Sequence, residues 1–278
     1  MPLRRIWNIL PSGNTLRESD SIVQPDDIMN AVTLLTAGWL LLAMCTGGDS
    51  WCSEDETSSY QPEVTVIDSG VKGPTVLIVA GIHGNETAGI AAAQRIAGWQ
   101  ILRGRLVVIA EANRAAIAAQ KRLIPGVDEQ QADLNRNFHV DKSECRPVGD
   151  IAAGLWRAVN EQSPNWLIDL HESINFRRIN PETVGNTIIV CPNKDTLPLV
   201  KKLLQEVNNT ITDESKKFLM LEWPAKGSLT RAAAQILKAN AMIIETTRRE
   251  PFDTRVEQHC LLVRKLLSEL GMLEMPQK

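Results

Sequence analysis

Between residues 64 and 271 the chain alternates short apolar runs with stretches in which apolar side chains recur every three or four positions. The run at 76–80 (Val-Leu-Ile-Val-Ala) has no polar alternation, which predicts a strand covered on both faces, as in a parallel sheet. Further strands are expected at 64–67, 106–110, 166–170, 186–190 and 241–244. Helical patterns fall at 87–97, 115–120 and 197–207. A last helix begins at Thr254, where Val256, Cys260, Val263, Leu267 and Leu270 keep helical spacing. Gly271 ends it. Strands alternating with helices predict one α/β domain, with a mostly parallel, twisted central sheet and helices on both faces.

Polar groups capable of chemistry collect where these apolar runs stop. The 76–80 run gives way to Gly81-Ile82-His83-Gly84-Asn85-Glu86 and then to a helix, the place where open α/β sheets put their ligand sites. His83 and Glu86 lie three apart, so one helical turn points an imidazole and a carboxylate the same way. Both side chains suit zinc, although a loop histidine beside a solvated glutamate would look the same. The strand at 166–170 ends at His171-Glu172-Ser173, a third candidate ligand, and the strand at 241–244 ends at Glu245. Between them Asp133-Leu134-Asn135-Arg136-Asn137-Phe138 concentrates amide, guanidinium and carboxylate groups. A planar guanidinium in such a loop binds a carboxylate bidentately. His259 lies beside the apolar stripe of the last helix and reads as a core or boundary histidine.

The charge balance removes one class of partner. A formal net charge of −3 and a pI near 5.9 give no basic footprint for nucleic acid. Five cysteines at irregular spacing match neither a zinc module nor a dense disulfide framework. Upstream of the domain, residues 1–59 read as an N-terminal extension, with residues 60–278 forming the folded domain. Within the extension, residues 31–45 carry no charge and are followed by a polar linker. This run has the length of a signal-peptide core and is short of the about 20 residues of a membrane span. It predicts export or membrane association through 31–45, with a buried helix packed on the domain as the alternative.

Taken together, His83-x-x-Glu86, Asn113, Arg122, Asp133-Leu134-Asn135-Arg136, Asp169-Leu170-His171 and Glu245, in this order, resemble the zinc carboxypeptidase superfamily, in its succinylglutamate desuccinylase and aspartoacylase branch. The resemblance implies one zinc per chain held by His83, Glu86 and His171, with a fourth position for water. It implies that Asp133 fixes the tautomer of His83 and that Glu245 is the general base. Arg122 would polarise the scissile carbonyl, with Lys121 or Arg114 as alternatives, and Asn135 and Arg136 would hold a substrate carboxylate. Only 33 residues follow Glu245, so the additional C-terminal β domain of aspartoacylase-like enzymes is expected to be absent. The chain's one tyrosine is Tyr60, upstream of the catalytic body, whereas peptide-cleaving carboxypeptidases use a tyrosine near the site. The expected activity is hydrolysis of an amide bond in a small carboxylate-bearing substrate such as an N-acyl amino acid. The alternatives are a metallocarboxypeptidase acting on peptides, including cell-wall peptides, and a zinc- and carboxylate-binding protein without turnover.

Overall fold

A computed structural model describes residues 58–138 and 147–274; the apolar run at 31–45 lies outside the described residues. Among the described residues seven strands form one sheet: β1 (Thr65–Asp68), β2 (Thr75–Ala80), β3 (Arg105–Ile109), β4 (Trp166–Ser173), β5 (Thr187–Val190), β6 (Leu219–Glu222) and β7 (Asn240–Thr247). Their order across the sheet is β1-β3-β2-β4-β7-β5-β6. The four strands β3, β2, β4 and β7 run parallel. Antiparallel pairings join β1 to β3 and β5 to β7.

Among the described residues seven α-helices accompany the sheet: α1 (Thr87–Ile96), α2 (Arg114–Ala118), α3 (Glu129–Ala132), α4 (Asp150–Gln162), α5 (Thr196–Asn208), α6 (Leu229–Gln235) and α7 (Phe252–Glu269). Because successive side chains of a strand point to opposite faces, the apolar run of β2 is shared between two cores. Val76, Ile78 and Ala80 join Ile168, Leu170, Met242 and Ile244 against α1, α5 and α7. Leu77 and Val79 join Leu167 and Ala241 against Leu155, Trp156 and Val159 of α4 and Leu229 and Ala233 of α6. The uninterrupted apolar run is thus a strand buried on both sides. Among the described residues no helix is long and apolar enough to cross a membrane. Cys191 and Cys260 are buried free thiols.

Four elements, α3, α4, β6 and α6, are not among those expected from sequence. Two strands run further than expected: β4 carries His171, Glu172 and Ser173 within it, and β7 continues past Glu245 to Thr247. The reason is mutual pairing, since His171 lies opposite Glu245, Glu172 opposite Thr246 and Ser173 opposite Thr247. Polar residues remain in strand conformation there because the neighbouring strand supplies their backbone partners. Ser59, expected in the linker, is tied to the domain by its backbone N–H, which donates to Asp150 Oδ1 at 2.8 Å. Tyr60 likewise packs on the domain, its hydroxyl donating to the carbonyl of Ala112 at 3.0 Å.

Candidate metal centre

The adjacent strands β2, β4 and β7 end together, and the polar residues at those ends converge. The loop from β2 to α1 carries His83 and Glu86, and it presses closely on α2. A Cβ at Gly84 would lie 2.1 Å from the backbone carbon of Ala116, so only glycine allows this approach. Asn113 fastens the contact: its Nδ2 donates to the carbonyl of Ile82 at 3.1 Å, while its Oδ1 accepts from Ala116 N and caps α2.

His171 enters from β4, on the same face as Asp169 and beside Glu245 of β7. His83 Nδ1 is 2.8 Å from Glu86 Oε1, His171 Nδ1 is 2.8 Å from Glu86 Oε2, and the two Nδ1 atoms are 3.1 Å apart. All three residues are buried. These separations of 2.8–3.1 Å are about 0.2–0.5 Å shorter than the roughly 3.3 Å between ligands on a tetrahedral ion with bonds of about 2.0–2.1 Å. The far ring nitrogens face carboxylates: His83 Nε2 is 3.1 Å from Asp133 Oδ1, and His171 Nε2 is 2.8 Å from Asp169 Oδ2. Such outer carboxylates leave Nδ1 of each imidazole directed at the common centre. The donor set therefore fits a metal ion, and His83, Glu86 and His171 can hold one.

Electrostatics match this arrangement. Burial acts to raise the pKa of Glu86, but the charges and hydrogen bonds of His171 and His83 outweigh it and hold the carboxyl well below its ordinary value. For His171 burial acts downward, and Asp169 and Glu86 overcome it, raising the imidazole well above its usual range. Asp133 resists the upward push of its burial because His83, Arg136 and Arg122 bring it down to about 2. Glu245 behaves oppositely. Desolvation, only partly countered by the charge of His171, pushes it up to about 8.

Of the three basic residues considered beside the site, Arg122 reaches it, donating from Nη1 to Glu86 Oε1 at 2.6 Å. Arg114 instead donates to the carbonyl of Gln61 and lies over the ring of Tyr60, and Lys121 is exposed. Asn135 is buried, with Oδ1 accepting from Leu229 N at 3.1 Å and Nδ2 at 3.4 Å from His171 Nε2. Arg136 is half-exposed and spends one donor on the carbonyl of Asn135. His259 is fully buried on α7, its Nε2 3.1 Å from Thr246 Oγ1, in keeping with a core residue. Asp169, Glu172 and Arg255 are parts of the site to which sequence reasoning gave no role. Asp169 carried a usable signal, being two residues before His171 on a strand and so on the same face.

Comparison with known proteins agrees with this geometry. Residues 72–254, more than half of the chain, match the succinylglutamate desuccinylase/aspartoacylase catalytic domain. N-alpha-acetyl-L-2,4-diaminobutyric acid deacetylase of Halomonas elongata is 35% identical over 124 residues, which make up 43% of this chain and 34% of that protein. Among solved structures, a variant of the cell shape determinant protein Csd4 from Helicobacter pylori superposes with a TM-score of 0.65 at 20% identity, covering 76% of this chain and 55% of Csd4. A succinylglutamate desuccinylase from Silicibacter sp. TM1040 gives a TM-score of 0.57 at 19% identity over 78% of this chain and 63% of that one. In each case the match spans less than two thirds of the relative's own length. The two structures share the α/β fold described above. With most of its sheet and the entire His83, Glu86 and His171 cluster inside the matched region, the chain belongs to the succinylglutamate desuccinylase/aspartoacylase catalytic-domain family.

Proposed function

We propose that the protein is a zinc-dependent hydrolase that cleaves an amide bond in a small carboxylate-bearing substrate, an N-acyl amino acid being the leading class. The observation that carries this reading is the buried His83, Glu86 and His171 cluster with Glu245 directly across from His171 on the next strand. His83, Glu86 and His171 would hold a zinc ion, which would supply Lewis acidity to the reaction. Glu245 is suited to move the proton, taking it from the attacking water and giving it to the leaving amine. In the metal-free protein burial raises this carboxyl to about 8, and a carboxyl tuned toward neutrality is suited to exchanging a proton. Arg122 is half-exposed and anchored on Glu86, and in this reading it would stabilise negative charge on the carbonyl oxygen. Arg136 keeps free donors for a substrate carboxylate, while Asn135 is turned inward, its Oδ1 accepting from Leu229 N. The deacetylase from Halomonas elongata, whose name records removal of an acetyl group from an amino acid, supports the N-acyl reading.

A peptide substrate is the second reading. The loop after β4 exposes Ile174, Ile179 and Val184, apolar contacts that a longer substrate would use, and Csd4 is a D,L-carboxypeptidase. Amine release from a panel of N-acyl amino acids and short peptides, assayed with zinc and with a chelator, separates the two. Zinc-dependent release from N-acyl amino acids in preference to peptides is the expected result. Preferential cleavage of peptides would favour the carboxypeptidase reading. No turnover of either class by a zinc-loaded protein would favour a binding role without catalysis.

A further inference from the structure

We propose that Glu172 is a positioning residue that fixes the Glu86 carboxylate in the geometry needed to bind the metal, an inference that rests on the metal reading above. Glu172 follows His171 on β4, so its side chain points to the opposite face of the sheet, toward α1 and α7. It is buried, and its Oε2 accepts a hydrogen bond from the backbone N–H of Ala88 at 3.0 Å. Ala88 is the second residue of α1, whose N-cap position is Glu86. Helix N-termini require acceptors for their free N–H groups, supplied in most helices by the N-cap side chain. The Glu86 side chain makes no such bond, because its carboxylate is turned toward the two imidazoles. Glu172 provides the missing acceptor from a distant strand.

The bond is returned. The backbone N–H of Glu172 donates to Glu86 Oε2 at 3.0 Å, on the oxygen that also faces His171 Nδ1. The first turn of α1 and the end of β4 are therefore locked by two reciprocal hydrogen bonds, one of them on the Glu86 carboxylate itself. Gly89 permits the lock, since a Cβ there would approach the carbonyl oxygen of Leu170 to 2.8 Å. Arg255 of α7 pairs with Glu172 Oε1, and both side chains are largely buried. That cation lets two carboxylates sit close together in the interior, where an uncompensated charge would be costly.

Zinc affinity, measured by chelator competition, tests this on two variants alongside the wild type, with thermal unfolding of the metal-free proteins as a control. Glu172→Asp keeps the charge for Arg255 but is too short to reach Ala88. The double variant Glu172→Gln/Arg255→Met removes the ion pair and keeps an acceptor for Ala88. If Glu172 positions the ligand, Glu172→Asp weakens zinc binding by about 10- to 100-fold, and the double variant stays within about threefold of wild type, well short of that loss. Wild-type affinity in a folded Glu172→Asp protein, whatever its thermal midpoint, would overturn the proposal. Equal losses in both variants would overturn it too, assigning the effect to the charge pair. A wild type that binds no zinc overturns the metal reading itself, and this inference with it.

Discussion

Each donor atom of the cluster has a further contact that limits where it can point. Asp133 and Asp169 stand behind the two imidazoles, and the backbone of Glu172 and the guanidinium of Arg122 hold the Glu86 carboxylate. Glu245 has no such duty toward the cluster, which separates its chemistry from metal holding. Glu245→Gln is therefore expected to retain one zinc per chain while turnover falls by about 100- to 10,000-fold. Metal analysis and amine release on the same preparation check it, and loss of zinc with turnover would place Glu245 among the ligands. Arg136→Met is expected to raise KM for carboxylate-bearing substrates with kcat little changed, the mark of uniform binding. Steady-state kinetics on an acid substrate and its amide test this, because the amide should not distinguish the variant from wild type. At this scale sequence spacing brought His83, Glu86, His171 and Glu245 forward together, since each closes an apolar run. Glu172 and Arg255 pair across 83 residues, a contact that no local pattern records.

The elements place these residues by ending side by side. β2, β4 and β7 are neighbours in the sheet and parallel, so one end of the sheet collects His83, Glu86, His171 and Glu245. Their runs were legible because burial on both faces leaves a continuous apolar block. α4 was not, although Ala152, Leu155, Trp156 and Val159 have helical spacing, because Ala152, Ala153 and Gly154 weaken its apolar stripe. β6 is four residues long and incompletely buried, and α6 is a seven-residue helix rich in alanine. Tertiary packing forms both. The contact between α7 and β7 predicts a dependence on pH. Burial, reinforced by the charge of His171, lowers the His259 pKa to about 3, so the unfolded chain binds more protons wherever the pH lies between about 3 and about 6.5. Stability from this group is complete above that window and falls as the pH drops through it, by on the order of 2 kcal/mol between pH 7 and pH 5. Denaturant unfolding of metal-free protein at the two pH values should show the loss, and His259→Gln, which does not titrate, should show a correspondingly smaller one. An identical pH dependence in the variant would contradict the assignment.

For the whole molecule, a metal held by His83, Glu86 and His171 would join segments distant in sequence, so its removal should reach beyond the site. Chelation is expected to abolish turnover and lower the thermal midpoint, with both restored by zinc. Free zinc at 100 times its dissociation constant corresponds to about 2.7 kcal/mol of added stability. A midpoint indifferent to chelation would mean that the cluster does not hold a metal in the folded state. The overall architecture was readable in advance, because alternating strands and helices leave few topologies. The antiparallel pairing of β5 with β7 was not, because nothing in a four-residue apolar strand states its direction. The most direct test of the account is the metal content of the purified protein after zinc repletion, measured by elemental analysis for wild type and for His171→Ala. One zinc per chain in the wild type and little or none in the variant is the predicted result; a repleted wild type without metal, or a variant that keeps a full equivalent, would contradict it.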